Sequence, residues 1–397
     1  MAFNYEINQL ELMQARIKSV PHGWQFTYVG KAFCIRNNLR KPISEEERSM
    51  SPGNYPYYGP TKIQGYIGTF EQDGSYALIG EDGDHFLKFE KHSMTQLVDG
   101  KCTVNNHAHI IEGTKEASRE WFYYYFMHRD IFSFLSRQGA GRYKLNKASL
   151  EKMPLLLPPI VEQKKIAQIL STWDKAITVT EKLLANSQQQ KKALMQQLLT
   201  GEKRLLDENG VRFVGKWEKK HLSDVADVYQ PKTISQSMMS DSGYPVYGAN
   251  GVIGFYQEFN HETEQIAVTC RGSTCGTVNW TQAKSWITGN AMVINTDSYS
   301  FVNKKFLFYT LNGSDLKYLI SGSGQPQITG NIKTHIVNLP CIEEQQKIAT
   351  VLSAADAEIS TLEKKLACLK DEKKALMQQL LTGKRRVKVE AEEAVSA

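Results

Sequence analysis

The chain has 397 residues, of which 41% are hydrophobic and 23% charged, and its formal net charge is +6. These values are typical of a folded globular protein with two or three domains. No run of about 18 apolar residues occurs, and the start MAFNYEINQLELMQARIKSV has no basic segment followed by an apolar stretch, so we expect no membrane span, no secretory signal and a cytoplasmic location.

Residues 1–156 form the first predicted domain. Short alternating strands such as SYALIGEDG are broken by Gly and Asp, which predicts a mixed, strand-rich domain with functional loops. A shorter amphipathic helix is expected near Glu116 to Leu135. His107 and His109 lie at strand spacing and could form a ligand pair, but no carboxylate cluster surrounds them in the sequence, so we favour structural or loop contacts.

Residues 157–205 form the first predicted long helix. Pro158 and Pro159 open the segment, and neither proline nor glycine follows until Gly201. Because proline is tolerated in the first turn of a helix and glycine suits its end, the segment predicts one helix, a rod of roughly 60 Å at about 1.5 Å per residue. It carries eight Lys or Arg against four acids, a mild basic excess that fits an anionic partner.

Residues 206–338 form the second predicted domain, which echoes the first faintly. The segment GYPVYGANGVIGFY at 243–256 is similar to NYPYYGPTKIQGYI at 54–67. Strands such as QIAVTCRGSTCGTVNW predict another mixed, strand-rich domain, and a shorter amphipathic helix is expected near Asn303 to Ile320.

Cysteine spacing gives little support for a metal site. Cys270 and Cys275, with His221 and His261 upstream, could be interpreted as a cluster, but no paired CxxC spacing is present among the six cysteines. We therefore expect free thiols and no bound metal.

Residues 339–385 form the second predicted long helix, and it repeats the first. The stretches 157–201 and 339–383 align without a gap, with 27 of 45 positions identical, and both end in KKALMQQLLTG. The chain is therefore a tandem duplication of a domain followed by a helix. Residues 386–397 form a charged tail that we expect to be flexible.

Apolar residues recur along both helices in alternating steps of four and three, which predicts a coiled-coil stripe. The predicted interface consists of Ile166, Leu170, Trp173, Ile177, Leu184, Leu194, Leu198, Ile348, Leu352, Ile359, Leu362, Leu366, Leu376 and Leu380. Lys191 and Lys373 break it at matching positions, so both helices must tolerate charge at the same height. The simplest way to cover both stripes is an antiparallel pair with pseudo-twofold symmetry. The alternatives are a helical hairpin that braces a core and a binding site for another helical protein.

These elements predict an α+β fold with two mixed, strand-rich globular domains separated by two long helices that form an antiparallel coiled coil, as a pseudo-twofold internal repeat. The common catalytic signatures are absent: there is no GxGxxG after a strand, no GxxxxGK[ST], no HExxH and no GxSxG. We therefore predict no catalytic residues and no cofactor.

The segments LPPIVEQKKIAQIL and LPCIEEQQKIATVL, with the two ALMQQLLTG endings, resemble the conserved helices of the specificity subunit of type I restriction-modification systems. The resemblance covers the whole chain. YYGPTKIQGYI and LIGEDG, and VYGANGVIGFY, CRGSTCGTV and GNAMVI, are more loosely similar to the target recognition domains of that family. One departure is Cys341, which stands where the first copy has a second proline.

The resemblance implies a non-catalytic subunit of an adenine-DNA methyltransferase and restriction complex. Each target recognition domain would read one half of a bipartite, asymmetric site in double-stranded DNA, and the helix pair would set the length of the unread spacer. The implied partners are two modification subunits and, through them, the restriction subunits.

Base reading requires Arg, Lys, Asn or Gln at base edges, and phosphate contacts require Lys, Arg and loop amides. On this basis the predicted DNA contacts of the first domain are Arg36, Arg40, Tyr58, Lys62, Arg142, Lys144 and Asn146. Those of the second are Lys232, Asn250, Arg271, Ser273, Gln325, Gln327 and Asn331. The alternative functions are a helical scaffold that assembles partners without reading DNA and, last, an enzyme with an unrecognised site.

Overall fold

The computed structural model describes residues 17–138, 142–249, 251–322 and 325–389. Two compact units divide the chain: residues 1–179 with 366–397, and residues 180–365. Each unit contains one globular head and parts of both long helices, and we name the heads by their order in the chain. Asn250 and residues 390–397 of the predicted tail lie outside the described residues.

In the first head, successive side chains along the central strand face two different apolar clusters, and the described residues form ten strands. In chain order they are β1 Gln25–Tyr28, β2 Cys34–Ile35, β3 Pro52–Tyr58, β4 Ile63–Ile67, β5 Gln72–Gly80, β6 Thr95–Val104, β7 Ala108–Glu112, β8 Ser136–Gln138, β9 Arg142–Lys144 and β10 Pro154–Leu157. Six of them form one sheet in the order β2-β7-β5-β6-β3-β4, with only β3 and β6 parallel. In β5, Ala77 and Ile79 face the main core and Leu78 faces a smaller apolar cluster on the other side, as the two-residue period of a strand requires.

The helices of the first head are α1 Val29–Ala32, α2 Glu45–Met50, α3 Arg119–Phe126 and α4 Lys147–Glu151. The Ser118 hydroxyl accepts the N–H of Trp121 and caps α3, which packs on β5 and β6. The predicted helix from Glu116 to Leu135 was too long. The chain turns after Phe126, where the Asp130 carboxylate accepts the N–H of Phe132 at 2.9 Å, a local bond that competes with a helix.

The first long helix, α5, spans Ile160–Leu199 and follows Pro158 and Pro159 directly. It stops at Gly201, whose φ of 75° lies in the left-handed region that glycine adopts without penalty. The helix therefore begins directly after the two prolines and ends two residues before the glycine.

The second head has smaller sheets. Its strands are β11 Glu218–His221, β12 Asp227–Tyr229, β13 Tyr244–Gly248, β14 Gly251–Tyr256, β15 Ile266–Thr269, β16 Val278–Trp280, β17 Trp286–Ile287, β18 Ala291–Asn295 and β19 Ile336–Leu339. One sheet has the order β12-β18-β15-β16 and another the order β14-β13-β17. Helix α6, Lys304–Gly313, packs on β16. It is also shorter than the predicted stretch from Asn303 to Ile320, because Asp315 accepts the N–H of Lys317 in a turn.

The heads share a hairpin that the sequence comparison detected. β3 pairs with β4 and β13 pairs with β14, and each pairing has a register shift at the same place, between Tyr57 and Tyr58 and between Val246 and Tyr247. In each hairpin the first strand also has a parallel neighbour, β6 or β17. The two heads are therefore diverged copies of one fold.

The second long helix, α7, spans Ile342–Leu380. In the first unit, Asp174 of α5 pairs with Lys373 of α7. In the second unit, Lys191 of α5 pairs with Asp356, and Ser187 donates a hydrogen bond to Glu358. Within the second unit, later residues of α5 therefore face earlier residues of α7. The antiparallel helix pair and the α+β class are confirmed.

Candidate nucleic-acid interface

Two loops of the second head bring four predicted DNA contacts together. The backbones of Arg271 and Gln327 form an isolated antiparallel β-bridge, and the N–H of Gly272 donates to the Pro326 carbonyl at 3.1 Å. The side chains of Arg271, Ser273, Gln325 and Gln327 are all exposed. One guanidinium, one hydroxyl and two amides thus lie on adjoining loops, a combination that suits base edges and phosphates.

Lys232 lies on a loop that is fixed to the same end of the second head. Its carbonyl accepts the indole N–H of Trp286 at 3.2 Å, while its side chain is exposed. The Gln230 side-chain amide of this loop lies 3.6 Å from the Sγ of Cys270, the residue that precedes Arg271 in the chain. The loop therefore adds a cation near the Arg271 loop.

Asn331 has a different role in the structure. Its side-chain oxygen accepts the N–H of Thr329 at 3.0 Å, and its amide donates to the Leu319 carbonyl at 2.8 Å. The side chain therefore holds its own loop together and has little capacity left for a base.

In the first head, Lys62 and Arg142 are the exposed cations near one end of β5. Lys62 lies in the turn between β3 and β4. The Pro60 carbonyl of that turn lies close to Gly80 at the end of β5, since a Cβ added to Gly80 would be only 3.2 Å from its oxygen. Arg142 starts β9, and the N–H of Gly83 donates to the carbonyl of Tyr143 in the same strand at 3.1 Å. Both cations therefore belong to segments that adjoin the end of β5.

Arg40 and Lys144 both form ion pairs with the Glu81 carboxylate. Both contact Glu81, with the Lys144 Nζ at 3.2 Å, and Arg40 also donates to the Asn106 carbonyl at 3.0 Å. Burial favours a higher pKa for Glu81, but hydrogen bonds from Arg40 and Lys144 hold the pKa below its ordinary value. Arg40, only 19% exposed, thus stabilises the loop end of the sheet.

The other predicted contacts of the first head are also partly committed to the fold. Arg36 pairs with Glu112 at 2.6 Å while half exposed. Asn146 caps α4 by accepting the N–H of Ser149 at 2.8 Å. Tyr58 is half-buried, and its backbone carbonyl, not its side chain, accepts the N–H of Asn105.

The histidines near this end make structural contacts. The His107 Nδ1 lies 2.9 Å from Asp82, and the His109 Nε2 lies 2.7 Å from the Leu145 carbonyl, to which it donates. His85 was missed by the sequence reasoning: burial lowers its pKa to about 4, and among the described residues its Nε2 has no hydrogen-bond partner. The only sequence signal is its place in EDGDHF, directly after β5.

The predicted coiled-coil residues are all buried or half-buried. Six of them are buried in the cores of the heads and eight are half-buried, and of these eight Leu194 and Leu376 also pack against the cores. The buried ones are Ile166, Leu170 and Leu380 in the first unit and Leu198, Ile348 and Leu352 in the second; the half-buried ones are Trp173, Ile177, Leu366 and Leu376, and Leu184, Leu194, Ile359 and Leu362, respectively.

A glutamate in the first turn of each long helix is bound by a tryptophan and an arginine. In the first unit Arg386 donates to both oxygens of Glu162 at 2.7 Å, and the Trp24 indole donates at 3.0 Å. Arg386 also donates to the carbonyl of His22. The segment predicted as a flexible tail therefore begins with an anchored residue, because the buried Glu162 carboxylate needs a charged partner.

The second unit repeats this cluster. Arg204 donates to both oxygens of Glu344 at 2.6 Å, and the Trp217 indole donates at 3.2 Å. Hydrogen bonding to Glu344 raises the pKa of Arg204. The residue after this glutamate is a glutamine in both helices. The Gln163 side chain accepts the backbone N–H of Ser118, the N-cap of α3, and the Gln345 side chain accepts that of Asn303, the N-cap of α6, both at 2.8 Å.

The described ranges show neither a metal-binding cluster nor a membrane-spanning helix. No group of three or more His, Cys, Asp or Glu in them could hold a metal ion, and no helix in them is long and apolar enough to cross a membrane. All six cysteines are free thiols in the structure.

Comparisons with known proteins agree on one family. A family model described as the type I restriction modification DNA specificity domain matches residues 7–186 and 215–370. A Methanocaldococcus jannaschii protein named type I restriction enzyme MjaVIII specificity subunit is 25% identical over 422 aligned positions, which cover 98% of both chains. A Haemophilus influenzae protein provisionally named as such a subunit is 26% identical over 344 positions, 80% of this chain and 84% of its own.

The fold agrees as well. The crystal structure of the S subunit of a type I restriction-modification system from M. genitalium superposes with a TM-score of 0.70 at 16% identity, over 96% of this chain and 98% of that one. The family match extends over both heads and most of both long helices. The chain therefore belongs to the type I restriction-modification DNA specificity family.

Proposed function

We propose that this chain is the non-catalytic subunit that reads DNA for a type I restriction-modification complex. Each head reads one half of a bipartite, asymmetric site in double-stranded DNA, and the helix pair sets the unread spacer. The chain recruits two modification subunits, which methylate adenine, and through them the restriction subunits.

The observation that carries this proposal is the contrast between the head-helix junctions and the exposed loops. At the junctions, Glu162 and Glu344 have identical partners in the two units. In the loops, the first head presents Lys62 and Arg142, and the second presents the Arg271 and Gln327 loops. A constant frame that carries divergent recognition loops is suited to reading two different half-sequences.

Physical considerations support a reader with two heads. A single head with a few exposed cations and amides can bind only weakly, but a stiff connection raises the effective concentration of the second head once the first is bound. Two heads on one connection can bind together only when their half-sites recur at a separation that matches it. Helix α5, which starts in one unit and ends in the other without a break, is such a connection.

Salt dependence of DNA binding separates this proposal from a helical scaffold that does not read DNA. The complex of this chain with its modification subunit is titrated onto duplex DNA at several salt concentrations. Reading predicts that log K falls linearly with log salt, by about 0.9 per neutralised phosphate. Binding that is absent, or insensitive to salt, would favour the scaffold.

A further inference from the structure

Each head is joined to both long helices by a tyrosine, an aspartate and a lysine, which we call the seam triad. In the first unit the Tyr124 hydroxyl of α3 donates to Asp174 of α5 at 2.7 Å, and Asp174 pairs with Lys373 of α7 at 2.5 Å. The Lys373 ammonium also lies 5.8 Å from the centre of the Tyr124 ring. One side chain comes from the head and one from each helix.

The second unit contains the same triad. The Tyr309 hydroxyl of α6 donates to Asp356 of α7 at 2.6 Å, Asp356 pairs with Lys191 of α5 at 2.5 Å, and the Lys191 ammonium lies 5.7 Å from the ring centre. In both units the aspartate belongs to the helix that follows the head in the chain, and the lysine belongs to the other repeat.

The repeats preserve the tyrosine selectively. When Ser118 and Asn303, the matching caps, are aligned, Tyr124 and Tyr309 are the only identical residues between Arg119–Phe126 and the corresponding stretch 304–311. The preceding position has Tyr123 in one head and Phe308 in the other. The phenol hydroxyl has thus survived divergence only where it meets the aspartate.

Stability alone does not account for the triads. Lys373 and Lys191 have only 12% and 20% of their side chains exposed, and they occupy positions where the apolar stripe would otherwise continue. Their partners, Asp174 and Asp356, are 33% and 41% exposed, so each ion pair is half-buried. Removing the lysines from water costs desolvation that the attraction offsets only in part, and the best-attested role of such a pair is to specify register and orientation. Burial, with the aspartate beside it, raises the pKa of Tyr124 and of Tyr309, so each hydroxyl stays a donor.

We propose that Tyr124 and Tyr309 are positioning residues, which hold each head at a fixed angle on the helix pair and thereby restrict the complex to one spacer length. The hydroxyl meets its aspartate only when the head is in register with the helix that follows it, and the lysine ties that aspartate to the other helix. Because one base pair turns the duplex by about 35°, a head free to swing can reach a half-site displaced by one step. This inference rests on the proposed function.

The test uses Tyr124→Phe and Tyr309→Phe in the full chain with its modification subunit, since phenylalanine keeps the ring and removes only the hydroxyl. Methylated adenines are mapped at every spacing of the two half-sequences. We expect unchanged half-sequences and a rise of about tenfold in relative methylation at spacers one base pair longer or shorter. That factor corresponds to about 1.4 kcal/mol of lost preference.

Tyr123→Phe is the matched control, because it makes the same change one residue away in α3 and the second head already has Phe308 there; its map should equal that of the wild type. A uniform loss at all spacers in Tyr124→Phe and Tyr309→Phe, as a merely structural role would give, would overturn the inference, as would an unchanged spacer or altered half-sequences. A wild-type map without a bipartite motif would instead refute the proposed function and this inference with it.

Discussion

Removing Arg204 should destabilise the second unit strongly. The Glu344 side chain is fully buried, and its carboxylate accepts two hydrogen bonds from Arg204 at 2.6 Å and one from Trp217 at 3.2 Å. Arg204→Ala leaves that carboxylate with the indole alone. A buried charge that loses its partner is far more costly than an exposed one, because neither water nor a counter-charge replaces it.

The expected cost is about 3–5 kcal/mol, the usual range for breaking a buried pair from one side. For a unit of about 150–250 residues each kcal/mol lowers Tm by about 2–4 °C, so the loss is about 6–20 °C. Arg386→Ala is the matched variant in the first unit. Its effect should be smaller, because the Arg386 side chain is 42% exposed and Glu162 is 4% exposed, so water can partly replace the arginine.

Thermal unfolding of the complex, combined with hydrogen exchange resolved by mass spectrometry, measures the loss and locates it. Lys147→Ala is the control, since its exposed pair with Glu151 should be worth less than about 1 kcal/mol. A Tm for Arg204→Ala equal to that of Lys147→Ala, or faster exchange that is not concentrated in residues 180–365, would refute this prediction.

Two further predictions concern the heads. Arg271→Ala should cost about 1–3 kcal/mol of binding and relax the second half-sequence while the first stays unchanged; methylation mapping checks this, and unaltered discrimination would remove Arg271 from the interface. Burial holds the pKa of His85 at about 4, below its ordinary 6.5. Because the unfolded chain therefore binds the proton more tightly than the folded one, the free energy of unfolding decreases as pH falls from about 6.5 towards 4. His85→Gln should flatten that fall in urea titrations at several pH values, and a variant with the wild-type slope would contradict it.

The repeat made the helices predictable. Pro158, Pro159 and Gly201 mark the ends of the first long helix because their backbone preferences are local. The pairing followed from the need of two apolar stripes to cover each other, and its antiparallel direction followed from the pseudo-twofold symmetry of a duplicated unit of domain and helix. The short head helices were predicted too long because Asp130 and Asp315 turn the chain by hydrogen bonds to their own neighbours, which an amphipathic pattern does not reveal.

The site was less predictable because a residue type does not disclose its partner. Arg40 has the chemistry of a base reader, yet Glu81, 41 positions away, occupies it. Arg386 was placed in a tail, although Glu162, 224 positions away, holds it. One signal was available: Arg204 and Arg386 stand three residues after the glycine that ends each copy of KKALMQQLLTG, and this match could have indicated a shared role.

In the proposed function, the helix pair sets the separation of two independent readers. The direct measurement is a methylation map of a variant that lacks one heptad in each long helix, residues 178–184 and 363–369. The deletion removes about 10 Å of helix, close to three base-pair steps. We expect the two wild-type half-sequences with a shorter spacer. An unchanged spacer, or a change in either half-sequence, would show that the helix pair does not set the separation.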